Sequence, residues 1–279
     1  MTDAHPGAHL SEPEVAKLLK LLEGVNAVLV GGQALAIWSR LFLKVRPVIA
    51  GFYSISSEDL DVFGNVNAAK AFAEGIDESV VHIPKSFDNN TPNAAVVTGK
   101  IGDRLIRIDF MRSILGVEDR SIREKYVTLR RQLPDGKTIN IIVLHPLDCL
   151  KSRISNINDL GRRDPHSISS ARAAMYVLEA FIDELLAKGQ IKEAQDILLE
   201  LGFVARDRCF GKPVHAEFGI DPRVIMTRYI YHPHFDKRWL ENQLRKSLGR
   251  LERSAVVAAK RIESKKQPTS TDLPSRLSD

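Results

Sequence analysis

The chain has only two cysteines, Cys149 and Cys209, in 279 residues, and neither stands in a Cys-x-x-Cys pair. That excludes a disulfide framework and a thiolate zinc site, and leaves both as small buried or half-buried thiols. Long hydrophobic runs are missing too. The most apolar stretch, Val25 to Ile37, is interrupted by Gly31, Gly32 and Gln33 and is shorter than the roughly 20 residues a bilayer span needs, so no membrane partner is expected. The opening residues, Met-Thr-Asp-Ala-His-Pro-Gly, lack the basic patch, apolar stretch and cleavage site of a secretory signal, which predicts a cytoplasmic protein. His145, His215, His232 and His234 show no helical or tight-turn spacing suited to zinc, and structural or surface roles are expected for them. No internal repeat is present.

What is there suits an ordinary globular chain, with 44% hydrophobic residues to supply a core. The net charge of +5 favours anionic partners. Its distribution is uneven: between Lys237 and Lys266 lysine and arginine far outnumber Glu241, Glu252 and Glu263. In that segment Leu240, Leu244, Leu248 and Leu251 recur at spacings of three and four and mark a buried helical stripe. The basic residues around it make either a solvated face or a set of phosphate contacts.

Element signals are clear in the first half. Ser11-Glu-Pro-Glu starts a helix over 12–23, with Ser11 as N-cap and Gly24 as its stop. Asn26 to Val30 is a short buried strand ending at Gly31-Gly32, which turns the chain into a helix over 33–43. Residues 44–57 read as a loop around Pro47 and Gly51, 68–74 as a helix, and 94–98 and 105–110 as strands joined by a turn over 99–103. Pro134-Asp135-Gly136 predicts a hairpin between strands at 126–133 and 138–144. Helices follow at about 146–156, 167–187, 190–201 and 237–262. This predicts an α/β domain over 1–145, a mostly helical domain over 146–264 and a disordered tail over 265–279 rich in Ser, Pro, Thr and charge.

The chemistry lies in an alternation. In Asp59-Leu-Asp-Val-Phe the strand period of two puts Asp59 and Asp61 on one face and Leu60 and Val62 on the other. Leu105-Ile-Arg-Ile-Asp-Phe alternates in the same way, with Leu105, Arg107 and Asp109 sharing a face. Three carboxylates on two strands can hold one or two Mg²⁺ ions, because magnesium takes oxygen ligands and leaves room for phosphate oxygens. Gly31-Gly32, opening a helix, can present backbone N–H groups to a triphosphate, or can serve as a ligand-free turn.

These segments carry a resemblance. Val28-Leu-Val-Gly-Gly-Gln-Ala-Leu-Ala-Ile-Trp, then Ser57-Glu-Asp-Leu-Asp-Val-Phe, then Ile106-Arg-Ile-Asp-Phe, resemble the nucleotidyltransferase superfamily related to DNA polymerase beta, and within it the AbiEii-type group of toxins and minimal transferases. The resemblance covers about residues 25–165. It implies a nucleotidyltransferase-like mixed sheet with flanking helices, and transfer of NMP from an NTP to an acceptor hydroxyl. Gly31 and Gly32 match the phosphate-facing glycines, Asp59 and Asp61 the paired metal ligands, and Asp109 the third acid and general base. Leu147-Asp-Cys-Leu-Lys-Ser-Arg-Ile and Leu160-Gly-Arg-Arg-Asp are similar to later family segments, which implies a phosphate contact for Lys151 and a supporting place for Asp164. Three departures stand out: Gln33 where many members have a small hydroxyl residue, a longer stretch between Gly32 and Asp59, and Ser167 where a second acid is common.

By that resemblance the acceptor is a tRNA or other RNA end or a protein, and the chain is the toxin of a pair with an antitoxin protein as partner. Two other readings stay open. One is a small-molecule transferase of the aminoglycoside-modifying kind, and the other is a silent member that binds nucleic acid or protein. Read without the family, Lys151 is a surface lysine and Asp164, before Pro165, an N-cap.

Overall fold

The computed structural model describes residues 11–52, 60–85, 91–133 and 135–266. By contacts the chain divides between Ile197 and Leu198, whereas the sequence pattern placed the boundary at 145/146. The first unit is mixed α/β, built on one seven-stranded sheet of order β3-β4-β5-β2-β1-β7-β6.

Its chain begins with α1 (Glu12–Glu23), for which the Ser11 hydroxyl accepts from the Glu14 N–H and the Glu14 carboxylate accepts from the Ser11 N–H. This capping box explains why the helix starts there. β1 (Val28–Leu29), α2 (Gly31–Phe42), the short α3 (Ile49–Phe52) and β2 (Leu60–Phe63) follow. The glycine pair is thus the first turn of α2 rather than a linker before it. The expected loop over 44–57 contains α3, whose Ile49 is fully buried and whose Phe52 stacks on Tyr176 at 5.3 Å between ring centroids. Residues 53–59 lie outside the described residues.

α4 (Val66–Ala73) leads to β3 (Asp77–His82), β4 (Asn93–Ile101) and β5 (Arg104–Met111). β4 and β5 pair antiparallel out to Ile101 and Arg104, which shortens the expected five-residue turn to Gly102-Asp103, with Gly102 at φ +60°. β3 was not expected. It is a sheet edge with a register shift between Asp77 and Val80 and buries no side chain fully, so it needs no apolar alternation. α5 (Asp119–Lys125) precedes the hairpin of β6 (Val127–Gln132) and β7 (Thr138–Val143), which pair antiparallel. The turn expected at 134–136 joins them, although Pro134 is outside the described residues.

β2 and β5 run parallel, as do β1 and β7, while β1 and β2 are antiparallel. α6 (Pro146–Asn158) and α7 (Pro165–Ala187) pack on one another and on α2, which explains why they belong to the first unit. Trp38 of α2 is 1% exposed, donates its indole N–H to the Leu144 carbonyl at 2.9 Å and meets Phe181 of α7 edge-on. Buried indole N–H groups require such a partner. Among the described residues no helix is long and apolar enough to cross a membrane.

The division falls within α8 (Ile191–Val204). The second unit continues with a π-helical turn (Ala205–Cys209), α9 (Pro213–Ala216), α10 (Arg223–Arg228) and α11 (Lys237–Trp239). A second π-helical turn (Leu240–Leu244) then leads into α12 (Arg245–Lys266). Leu240, Leu244, Leu248 and Leu251 are all buried, as their spacing predicts. Cys149 and Cys209 are buried, and burial pushes both thiols up to about 12. Of the expected tail, Lys265 and Lys266 fall within α12, and 267–279 lie outside the described residues.

Candidate metal and nucleotide site

The acids are positioned by the centre of the sheet. β2 and β5 are in parallel register with Asp61 beside Asp109, Leu60 beside Ile108 and Val62 beside Phe110. Leu60, Val62, Ile108 and Phe110 are each no more than 1% exposed, which fixes the opposite face of both strands outward. Adjacent strands lie about 4.8 Å apart, so the two half-buried carboxylates emerge side by side. Asp59 lies outside the described residues, and its place beside Asp61 rests on the strand period alone.

The third component is the start of α2. The Val30 N–H donates to the Asp61 carbonyl at 3.0 Å, and the chain then turns into the helix at Gly31 with φ +63°. A Cβ on Gly31 would stand 2.0 Å from Asp61 Oδ2 and 2.8 Å from its Cβ and Cγ. Glycine is therefore required twice, for the left-handed backbone and for the close approach of the carboxylate. Val30 supplies no side-chain cap and the first turn holds no acid. The Asp61 carboxylate thus lies where the positive end of α2 favours negative charge.

Asp109 has a partner that sequence reasoning did not assign to the site. Arg107 Nε donates to Asp109 Oδ1 at 3.1 Å, with Arg107 mostly exposed. The signal was the strand period, which puts positions 107 and 109 on one face. Cross-strand from Arg107 is Thr98, whose hydroxyl meets His82 Nε2 at 3.1 Å. Directly beside Asp109 on β4 is Val96, so the face around the acids mixes polar and apolar side chains.

Lys151 and Asp164 are placed differently. Lys151 is 9% exposed and its ammonium donates to Asp148 Oδ1 at 2.9 Å, while Asp148 Oδ2 accepts from the Ser121 hydroxyl at 2.7 Å. It is no surface lysine, and its carboxylate partner was legible as an i, i+3 pair on α6. Asp164 caps α7: its carboxylate accepts from the Ser167 N–H at 2.9 Å and from the Ser167 hydroxyl at 2.6 Å. Those two donors, the hydroxyl first, hold its pKa below the usual carboxylate value. Ser167 is thus the partner of the cap. His145 is buried as the N-cap of α6, with Nδ1 accepting from the Leu147 N–H at 3.1 Å.

The structure brings together Gly31, Asp61 and Asp109, with Gly32 next in the same turn. Among the described residues no three or more His, Cys, Asp or Glu side chains gather as a metal-binding group. Two half-buried carboxylates on neighbouring strands supply hard oxygen donors and suit Mg²⁺ in kind. No family model, no curated protein and no solved structure matches the chain.

Proposed function

We propose that the chain is a metal-dependent nucleotidyltransferase with the nucleotidyltransferase-like fold its sequence resembles, moving NMP from an NTP to an acceptor hydroxyl. The observation that carries this reading is the register of Asp61 with Asp109 against the first turn of α2 at Gly31. Parallel pairing of two acidic strands beside a helix N-terminus joins cation-binding oxygens to a place suited to phosphate.

Asp61 and Asp109, with Asp59, would hold one or two Mg²⁺ ions. When bound, the metal lowers the pKa of the attacking hydroxyl and offsets charge on the leaving pyrophosphate. The acceptor oxygen forms a bond to the α-phosphorus, the bond from that phosphorus to the bridging oxygen breaks, and pyrophosphate leaves. Asp109 receives the hydroxyl proton. The backbone at Gly31 and Gly32 orients the triphosphate, and positioning with electrostatics supplies most of the rate. Lys151, held by Asp148, would reach a phosphate with its other N–H donors or by leaving that carboxylate. The acceptor on this reading is an RNA or tRNA end or a protein, and an antitoxin protein is the fitting partner if the chain acts as a toxin.

The test is transfer of label from each α-labelled NTP, with Mg²⁺, into total cellular RNA and protein, comparing the native chain with Asp61→Asn and Asp109→Asn. Asparagine keeps the shape and removes the charge. Labelling by the native chain that both variants lose supports the reading. Equal labelling by the variants, or Mg²⁺-independent labelling, refutes it.

A further inference from the structure

The second unit carries a groove that the transferase reading does not use. A cavity of about 920 Å³ is lined by Arg206, Lys212, Arg250, Arg253 and Arg261, over a floor that includes Phe210. A second cavity of about 450 Å³ adjoins it, shares Arg206, Arg250 and Ser254, and adds Lys246 with the amides of Asn242 and Gln243. Among the described residues no acid lines either cavity. Arg206 is neutralised by Asp207, with bonds of 2.6 and 2.9 Å. Arg250, Arg253 and Arg261 make no ion pair among the described residues, and Lys212 feels Asp207 only through its charge, without an ion-pair contact, so the groove keeps an excess of positive charge.

Its shape selects the ligand. Positions 250, 253, 254, 257, 258 and 261 fall on one face of α12, so the cationic edge from Arg250 to Arg261 extends about 16 Å at 1.5 Å per residue. Arg250, Arg253 and Arg261 are exposed along it, which suits an extended polyanion rather than one enclosed small anion. A lipid surface fits less well, because the apolar stripe of α12, Leu248, Leu251 and Ala255, is buried, and among the described residues the large hydrophobics exposed on that helix are two valines, Val256 and Val257, with no exposed long aliphatic or aromatic anchor beside them. Single-stranded nucleic acid binds by stacking bases on aromatic rings. A guanidinium covers one face of each ring here, Arg206 over Phe203 at 5.1 Å and Arg223 over Phe210 at 4.9 Å, and Phe210 is buried, which leaves Phe203 as a single exposed ring rather than a row of stacking platforms.

We infer that the groove along α12 binds the phosphodiester backbone of a nucleic-acid duplex. Cations on one helix face follow a row of phosphates, with the side-chain amides of Asn242 and Gln243 as further donors. The contacts are to backbone, so binding is weakly dependent on sequence and strongly dependent on salt. This inference stands apart from the transferase reading, since it concerns binding without nucleotide or Mg²⁺.

The test uses the full chain and fluorescent hairpins of one sequence, made as RNA and as DNA, with an unpaired strand of equal length and anionic vesicles as further probes. If Lys212, Arg250, Arg253 and Arg261 each neutralise one phosphate, affinity falls about 150-fold from about 50 to about 200 mM salt. Arg250→Gln with Arg253→Gln removes two of these contacts, and the same salt step then costs about 12-fold. Arg120→Gln with Lys192→Gln, which removes two exposed charges elsewhere, leaves the salt dependence as in the native chain. A preference for RNA or DNA identifies the source of the duplex and supports the proposal. It is overturned by absence of hairpin binding, by equal or tighter binding of the unpaired strand or vesicles, or by an unchanged salt dependence in a folded Arg250→Gln, Arg253→Gln variant.

Discussion

Replacing Gly31 by alanine tests the link between the start of α2 and the acid on β2. The new Cβ would meet Asp61 Oδ2 at 2.0 Å, and Asp61 Cβ and Cγ at 2.8 Å, so the carboxylate has to move. Backbone at φ +63° adds a second cost, about 1–2 kcal/mol for an L-residue in the left-handed region. Displacing packed atoms costs a further 1–3 kcal/mol or so, giving roughly 2–5 kcal/mol in all. Urea unfolding of the native chain, Gly31→Ala, Asp61→Gly and the double variant separates the two terms. Asp61→Gly removes the clashing atoms and leaves the backbone term, so the cycle should show a coupling of about 1–3 kcal/mol. A coupling near zero, or a Gly31→Ala cost within about 0.5 kcal/mol of nothing, would refute the contact and with it the geometry of the site.

Two further outcomes are expected. Lys151→Ala leaves Asp148 buried and charged, which costs about 3–5 kcal/mol, whereas Lys151→Met with Asp148→Leu recovers much of that loss; denaturant midpoints of both variants check it, and a cost below about 1 kcal/mol for the single change would contradict the buried pair. Asp164 has a depressed pKa when folded because the Ser167 hydroxyl and N–H donate to its carboxylate. Its contribution is therefore present above the unfolded carboxylate value and disappears as pH falls through the folded one. Asp164→Ala should cost about 1 kcal/mol near neutrality. The gap between variant and native stability should close below about pH 4, and a gap that widens in acid would show the sign to be wrong.

Much of the fold was legible because its signals are local. The Ser11 capping box, the turn at Gly31 and the buried stripe of Leu240, Leu244, Leu248 and Leu251 each depend on residues within a turn or two. The alternation around Asp61 and Asp109 likewise assigns a face to each acid without any knowledge of the other strand. β3 was not legible, since an edge strand that buries no side chain fully has no apolar period to show. Nor was α3 at Ile49–Phe52, which is held by packing on α7, far away in the chain.

By itself the sequence determined which side chains share a face and where helices begin, because period and capping act over a few residues. Only the tertiary structure decided that Asp61 and Asp109 are neighbours, that Gly31 admits the Asp61 carboxylate, that Lys151 is buried against Asp148, and that the cations of α12 line one groove with Arg206 and Lys212. The Lys151–Asp148 pairing is local to α6, and only its burial is tertiary; the other facts join segments distant in the chain, and such pairings are set by the packing of whole elements rather than by any local preference.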